Sequence, residues 1–427
     1  MTDGYITAAL KKVGRALHHV VHPQHAEERD ELDRLVNTIR TSAQAHADQL
    51  DKLMRQFEGV SSRMARDHDL RSLERRVEWL RDASSRQHHA LAQALKFAEW
   101  EEELRVDERR LRRRLERVEK TNRPVLVGPW SGEVGFELLY WVPFVTWVLR
   151  KARVSPDRIV IVSRGGPRSW YAHLGGRYLD VLSYFTADEF RVRTEEKKKQ
   201  RTMGPFDREI ARRIIAEARL ERPILLHPGL MYRLFFPFWK QKTTVRRIEN
   251  YTTYERPTRP VCAELAGRLP AEYVAVRFYF SACFPDTPAN RAFVETAVRG
   301  LTSSGHVVML NTAFEVDEHR DYAPDRSTRI HTIADLMTPD RNLDVQTAVI
   351  AGAKAFVGTY GGYSYLAPLL GVPSLAFYSR REEFFAHHLE LAERVFRSMN
   401  AGSFVPLDVA NVDLLRLAMG VGAPVVP

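Results

Sequence analysis

Residues 353–379 read AKAFVGTYGGYSYLAPLLGVPSLAFYS. An apolar run of strand length, Ala355–Gly358, meets a Gly361-Gly362 turn. An apolar helix over Ser364–Leu370 follows, and Gly371 and Pro373 close it before the next strand, Ser374–Tyr378. Strand, glycine turn, helix and strand make a βα unit of a parallel sheet. The two glycines let a backbone approach a ligand closely, and Ser364 can cap the helix. The free N–H groups at the helix start, Tyr363 among them, suit a pyrophosphate. In open α/β sheets the carboxyl ends of strands are where ligands bind, which puts the turn in the right place. A glycine turn that only connects strand to helix is the competing reading.

The same rhythm extends on both sides. Tyr273–Phe278, His306–Asn311 and Thr328–Ile333 read as strands, with helices over Asn290–Ser303 and Leu343–Gly352. An earlier series has strands at Pro124–Gly128, Arg158–Ser163 and Pro223–His227, with helices over Phe136–Arg150 and Asp207–Ala218. Each series has a normal domain size. The expected fold class is therefore α/β: two Rossmann-like domains, 123–257 and 258–427, facing a cleft. The aromatic and basic segment Tyr232–Thr258 reads as a linker or acceptor-facing insertion.

Upstream the composition changes. From Gln24 to Asn122 there is no proline, and Val36, Ile39, Ala43, Leu50, Leu53, Phe57, Val60 and Met64 fall on one helical seam. The register slips near Asp67, resumes at Leu70, Leu73, Val77 and Leu80, and closes with Leu104, Leu111, Leu115 and Val118. Residues 24–122 are expected to form a coiled coil that makes a homo-oligomer; an intramolecular hairpin is the alternative. Residues 1–23 read as a short amphipathic helix, with Lys11, Lys12 and Arg15 among Ile6, Leu10, Val13, Leu17 and Val20. It suits either an anionic membrane surface or packing on its own protein.

The 427 residues carry a net charge of +10, a balance that favours anionic partners. Two cysteines, Cys262 and Cys283, argue for a reducing compartment rather than a disulfide framework. No Cys/His cluster suggests zinc, and no nucleic-acid-binding motif is present. Without a long apolar segment or a signal-peptide pattern, the expected location is the cytoplasm, at the inner face of the membrane if the N-terminal helix binds there.

The 353–379 stretch resembles the donor-binding segment of B-type (GT-B) glycosyltransferases, and is similar to that of bacterial heptosyltransferases. The first turn, GPWSGEVGFELLYWVPF over Gly128–Phe144, supports the same family. Where those enzymes carry Gly-Asp, with the carboxylate as base, this chain has Gly132-Glu133, and Glu137 one turn on is the competing candidate. A carboxylate can take the proton of an attacking hydroxyl; Glu133 equally suits the positive end of a helix. Arg277, in YVAVRFYFS, matches more weakly an arginine that binds the donor phosphate in fucosyltransferases. A structural salt bridge would serve a buried arginine as well. Asn311 points to the same crevice, and His227, at a strand end, is an acceptor-binding candidate. The resemblance implies transfer of a sugar from a nucleotide-diphosphate donor to a hydroxyl acceptor, in a cell-envelope or capsular glycan. It implies neither a cofactor nor a metal, since arginine and helix dipole take the metal's place. The alternatives are a sugar-nucleotide epimerase and a non-catalytic coiled-coil scaffold. The paired histidines, His387-His388 included, read as surface residues.

Overall fold

The computed structural model describes residues 52, 55, 75–79, 82, 105–194, 200–312, 314, 320–323, 327–383 and 386–412. The chain divides into two compact units, Met1–Val106 and Asp107–Pro427. In the first, the described positions are single helical residues and short helical runs such as 75–79, so the expected helix 1–23 and nearly all of the expected coiled coil lie outside the described residues.

The second unit begins with a helix (α1, 105–119) whose last turns belong to it. Leu111 and Val118, read from the sequence as the end of the coiled-coil seam, are instead buried in this unit's own core. They lie beside side chains such as Trp141 and Val148, so this part of the seam is already covered.

Among the described residues the first α/β half has a four-stranded parallel sheet. Its strands are β1 (Val125–Val127), β2 (Ile159–Ser163), β3 (Arg177–Asp180) and β4 (Ile224–Leu226), in the order β3-β2-β1-β4. The strands VLV and IVIVS are apolar without alternation because both faces of the sheet are covered. Residue parity divides the burial. Leu126, Val160 and Val162 pack on Phe206, Ile210 and Ile214 of one helix, α4 (Pro205–Glu217), which follows α3 (Ala187–Thr194). Val125, Val127 and Ile161 face the other way, onto Leu138, Trp141, Phe144 and Val148. Those four belong to α2, which runs from Val134–Phe136 through a π-helical turn, Glu137–Trp141, into Val142–Lys151.

The segment expected as a linker is part of this core. Gly229–Trp239 forms α5, and Tyr232, Phe235 and Phe238 are buried. Its aromatic rings complete a stack in which Trp130 lies between Trp141 (centroids 5.8 Å apart) and Tyr232 (6.1 Å). Aromatic density here marks a core rather than a connection.

The second half carries a six-stranded parallel sheet of order β12-β11-β10-β5-β7-β9. Its strands are β5 (Tyr273–Arg277), β7 (His306–Met309), β9 (Ile330–Thr332), β10 (Ala355–Thr359), β11 (Ser374–Tyr378) and β12 (Phe404–Asp408). A short antiparallel pair, β6 (Tyr279–Phe280) and β8 (Arg320–Asp321), stands beyond the end of β5. The helices are α6 (Pro288–Ser304), α7 (Asn342–Gly352), α8 (Gly362–Leu369) and α9 (Ala386–Ser398). One face of the sheet packs Val276, Met309 and Val357 against Val294 and Val298 of α6. The opposite face joins Ala275, Val308, Phe356 and Ala376 to the same core as α2 and α5, so one apolar core runs through both halves.

Both sheets reverse their winding beside their first strand. The reversal falls between β1 and β4 in one and between β5 and β10 in the other. Such switch points open a crevice at the carboxyl ends of the strands.

A chain starting at residue 107 should keep this core and unfold cooperatively. One starting at 123 loses Leu111 and Val118 and should be less stable by about 2–5 kcal/mol for each large side chain stripped from the core. Urea unfolding of the two truncations measures the difference.

Candidate active site

At the β5–β10 switch point the backbone is clamped by side chains. Thr359 Oγ1 accepts from Tyr279 N at 3.0 Å and donates to Tyr279 O at 2.8 Å. Ser364 accepts from Gly361 N at 3.0 Å and returns a bond to Gly361 O at 2.6 Å; the helix expected from Ser364 begins two residues earlier, at Gly362, so Ser364 holds the turn from inside α8 instead of standing as its N-cap. The glycines serve packing. A Cβ on Gly361 would collide with the Tyr279 hydroxyl. A Cβ on Gly362 would lie 2.5 Å from Val134 Cγ1 and 2.7 Å from Gly135 N. The space that Gly362 leaves empty is thus filled by the first turn of α2, in the other half of the unit.

Arg277, at the end of β5, is buried and has partners. Its Nε lies 3.1 Å from Asp321 Oδ1, and Nη1 donates to Gln346 Oε1 at 2.6 Å. The guanidinium sits 4.3 Å from the centroid of Tyr363, the second residue of α8. Asp321 also accepts from Thr312 N at 3.1 Å, which ties the β7 end to the same ion pair. Asn311 donates through Nδ2 to Tyr322 O, while its Oδ1 is buried without a hydrogen-bond partner. Arg277, Asn311, Tyr363, Ser364 and the two glycines therefore gather at the carboxyl ends of β5, β7 and β10.

Across from them, the 128–133 turn leaves β1. Trp130 N donates to Val162 O at 2.9 Å, and Gln200 accepts from Ser131 N while donating to Pro129 O and to Asp207 Oδ1. His227 sits beneath this turn. Its Nδ1 accepts from Gly229 N at 3.0 Å, which leaves the proton on Nε2, 3.4 Å from Asp207 Oδ2. Burial pushes the Asp207 carboxyl up, but the neighbouring His227 ring and the bonds from Gly204 N and Gln200 outweigh it and hold the group below its ordinary value. Both ring nitrogens of His227 thus face protein groups of the first half.

The two candidate carboxylates occupy opposite environments. Glu133 is exposed, at the residue before α2, and makes no side-chain capping bond. Glu137 is wholly buried. Its Oε1 accepts from Ser163 Oγ at 2.5 Å and from Tyr171 Oη at 2.6 Å, while Oε2 has no hydrogen-bond partner. Burial raises this carboxyl to about 7, against the smaller opposing effects of the two hydroxyls and Arg164.

Several residues at the crevice escaped the sequence reading. Arg164, Gly165 and Gly166 follow β2 just as Gly361 and Gly362 follow β10, so the same strand-then-glycines rule would have found them. Arg164 Nη2 donates to Gly132 O at 2.9 Å, in the turn that carries Glu133. Asp180 accepts from the backbone N–H groups of Gly165 and Gly166. Gly165 O in turn accepts from Leu343 N at 2.7 Å, joining this loop to the start of α7. His388 is no simple surface residue: its Nδ1 lies 2.7 Å from the Tyr140 hydroxyl and its ring stands edge-on to Phe136.

No protein-family model and no curated protein matches this chain. Among solved structures it is similar to the ADP-heptose lps heptosyltransferase II of E. coli, at 12% identity and a TM-score of 0.37 over 65% of this chain and 97% of that one. It is also similar to a glycosyl transferase family 9 protein of Veillonella parvula, at 14% identity and a TM-score of 0.37 over 71% and 90% of the two chains. Both of these neighbours are glycosyltransferases.

Replacing Gly362 by valine should separate the starts of α2 and α8 and cost about 1–3 kcal/mol of stability, the usual price of overpacking; thermal unfolding measures it. Glu137 makes a second expectation. Its folded carboxyl is raised to about 7, above the ordinary 4.5 of a glutamate, so folding takes up a proton between these values. Its contribution is therefore fullest below about pH 4.5 and is lost as pH rises through 7. Glu137→Gln should remove that decline, worth on the order of 3 kcal/mol. Unfolding free energies of both proteins from pH 4 to 8 give the difference.

Proposed function

We propose that this chain transfers a sugar from a nucleotide-diphosphate donor to a hydroxyl-bearing acceptor, a cell-envelope glycan, at the crevice between its two halves. One observation carries the reading: the first turns of α2 and α8 abut at Gly135 and Gly362, with exposed Glu133 beside them. Each helix start presents unpaired N–H groups and a partial positive charge. Two such ends brought together repel each other, and a diphosphate relieves the repulsion.

In this reading the first turn of α8, with Tyr363 and Ser364, holds the diphosphate and takes up the charge that develops as it leaves. Arg277 acts from behind. Its charge is already shared with Asp321, and its guanidinium fixes the Tyr363 ring. Asn311 Oδ1, which lacks a partner, is free to accept from a ribose or base. Glu133 takes the proton of the acceptor hydroxyl as that oxygen attacks the anomeric carbon. Glu137 is sealed and shares its hydroxyl partners with the protein, so its role is to brace α2 against β2. His227 supports the first turn from below. The heptad segment upstream supplies self-association.

Mass spectrometry of the nucleotide that co-purifies with the protein names the donor, and a panel of nucleotide sugars then tests turnover. Glu133→Gln should lower kcat by roughly 100- to 10,000-fold, the span of general-base contributions, with donor affinity by calorimetry unchanged. Glu137→Gln should keep turnover. The opposite pattern would move the base to Glu137, and no donor binding at all would sink the reading.

A further inference from the structure

Helix α1 presents two unlike faces. Asp107, Leu111 and Val118 are buried on one. On the other, Arg109, Arg112, Arg113, Arg117 and, just past the helix end, Lys120 recur at spacings of three and four, all exposed, with Glu116 among them. At 1.5 Å per residue the stripe is about 16 Å long. The acids at the helix start are engaged elsewhere. Asp107 lies 2.9 Å from Arg110 and 3.3 Å from Arg233, and Glu108 lies 3.1 Å from Arg247.

The stripe continues into the amino-terminal rim of the first sheet. There Arg123 donates to Arg222 O at 2.5 Å, and Arg158 donates to Arg123 O and Val118 O. Glu119, Asp157 and Glu221 stand on the same rim and offset these two arginines, so the excess of positive charge on this face is that of α1 itself. The candidate site opens at the opposite, carboxyl, ends of these parallel strands.

We propose that this face docks the chain on an anionic lipid bilayer, with α1 lying along the surface and the crevice turned away from it. The charge pattern selects this partner. A linear row of cations on a convex helix meets a plane of headgroups without needing a groove. Single-stranded nucleic acid calls for aromatic platforms beside the cations. The exposed large apolar side chains among the described residues are Trp79, Val192, Val261 and Val405, none of them on α1. This inference is independent of the sugar-transfer reading.

The test is cosedimentation of the full chain with vesicles of phosphatidylcholine alone and of phosphatidylcholine with phosphatidylserine. The native chain should bind the anionic vesicles only, and less as salt rises. A variant carrying Arg112→Gln, Arg113→Gln, Arg117→Gln and Lys120→Gln changes exposed positions only. It should keep the native circular dichroism and thermal transition. Each cation near the surface is worth about fivefold in partitioning, so binding should fall on the order of 100-fold or more. Undiminished binding by this variant, or equal binding to neutral vesicles, would overturn the proposal. So would stripe-dependent binding to single-stranded RNA that is tighter than binding to vesicles, since that would make the face a nucleic-acid surface.

Discussion

The close approach of Gly135 to Gly362 is the constraint on which the rest of this α/β unit depends. Each lies in the first turn of a helix that follows a strand beside its sheet's switch point, so each helix start is fixed by its own sheet. Bringing the two into contact fixes the halves relative to each other. A side chain at Gly362 would meet backbone within 2.7 Å, and the neighbours on that side are Val134 and Gly135 N. The continuous apolar core behind the contact, with Leu366 and Ala367 on one side and Leu138 and Trp141 on the other, makes it favourable. The electrostatics work the other way, since two partially positive helix ends meet. Packing holds together what the dipoles oppose, and that opposition is the ground for proposing an anion in the crevice.

How much of this was legible in the sequence follows from burial. Strands covered on both faces, such as IVIVS, SLAFY and HVVM, announce themselves as apolar runs and were found. The edge strand β3 reads RYLD and is partly exposed, and β12 reads FVPLD with a proline; neither carries the signal of a buried strand, and neither was expected. The helix α5 was missed for the opposite reason. Its sequence, GLMYRLFFPFW, carries aromatics on nearly every side and an internal proline, so no amphipathic stripe marks it. Leu111 and Val118 keep heptad spacing but are buried in the core of the α/β unit, and spacing alone cannot name the partner.

The candidate site was legible as residue types and positions along the chain, and less so as partnerships. Arg277 and Asn311, expected at strand ends, and Tyr363 and Ser364, expected at a helix start, lie near one another at the β5–β10 switch point. The sequence could not say that Asp321, in a segment with no strand-like pattern, returns to meet Arg277. Nor could it say that the space beside Gly362 is taken by another backbone, because a glycine that admits a ligand and one that admits a helix look alike in sequence. His388 illustrates the same limit. Reading it as a surface residue was reasonable for a histidine in a charged segment, yet the fold lays it on Phe136 and Tyr140.

Glu133 and Glu137 show how environment divides roles between like groups. They stand one helical turn apart, and both were candidates for one task. The π-helical turn that begins at Glu137 carries its carboxyl under the crevice, where two hydroxyls bind a single oxygen and the other oxygen has no partner. A charge there is poorly solvated, which raises the carboxyl to about 7, and its complete burial keeps an acceptor hydroxyl from reaching it. Glu133 is exposed at the residue before α2 and makes no side-chain capping bond. A base must be reachable by the acceptor, and of the two carboxylates only Glu133 is exposed, which is why the proposed role falls to it.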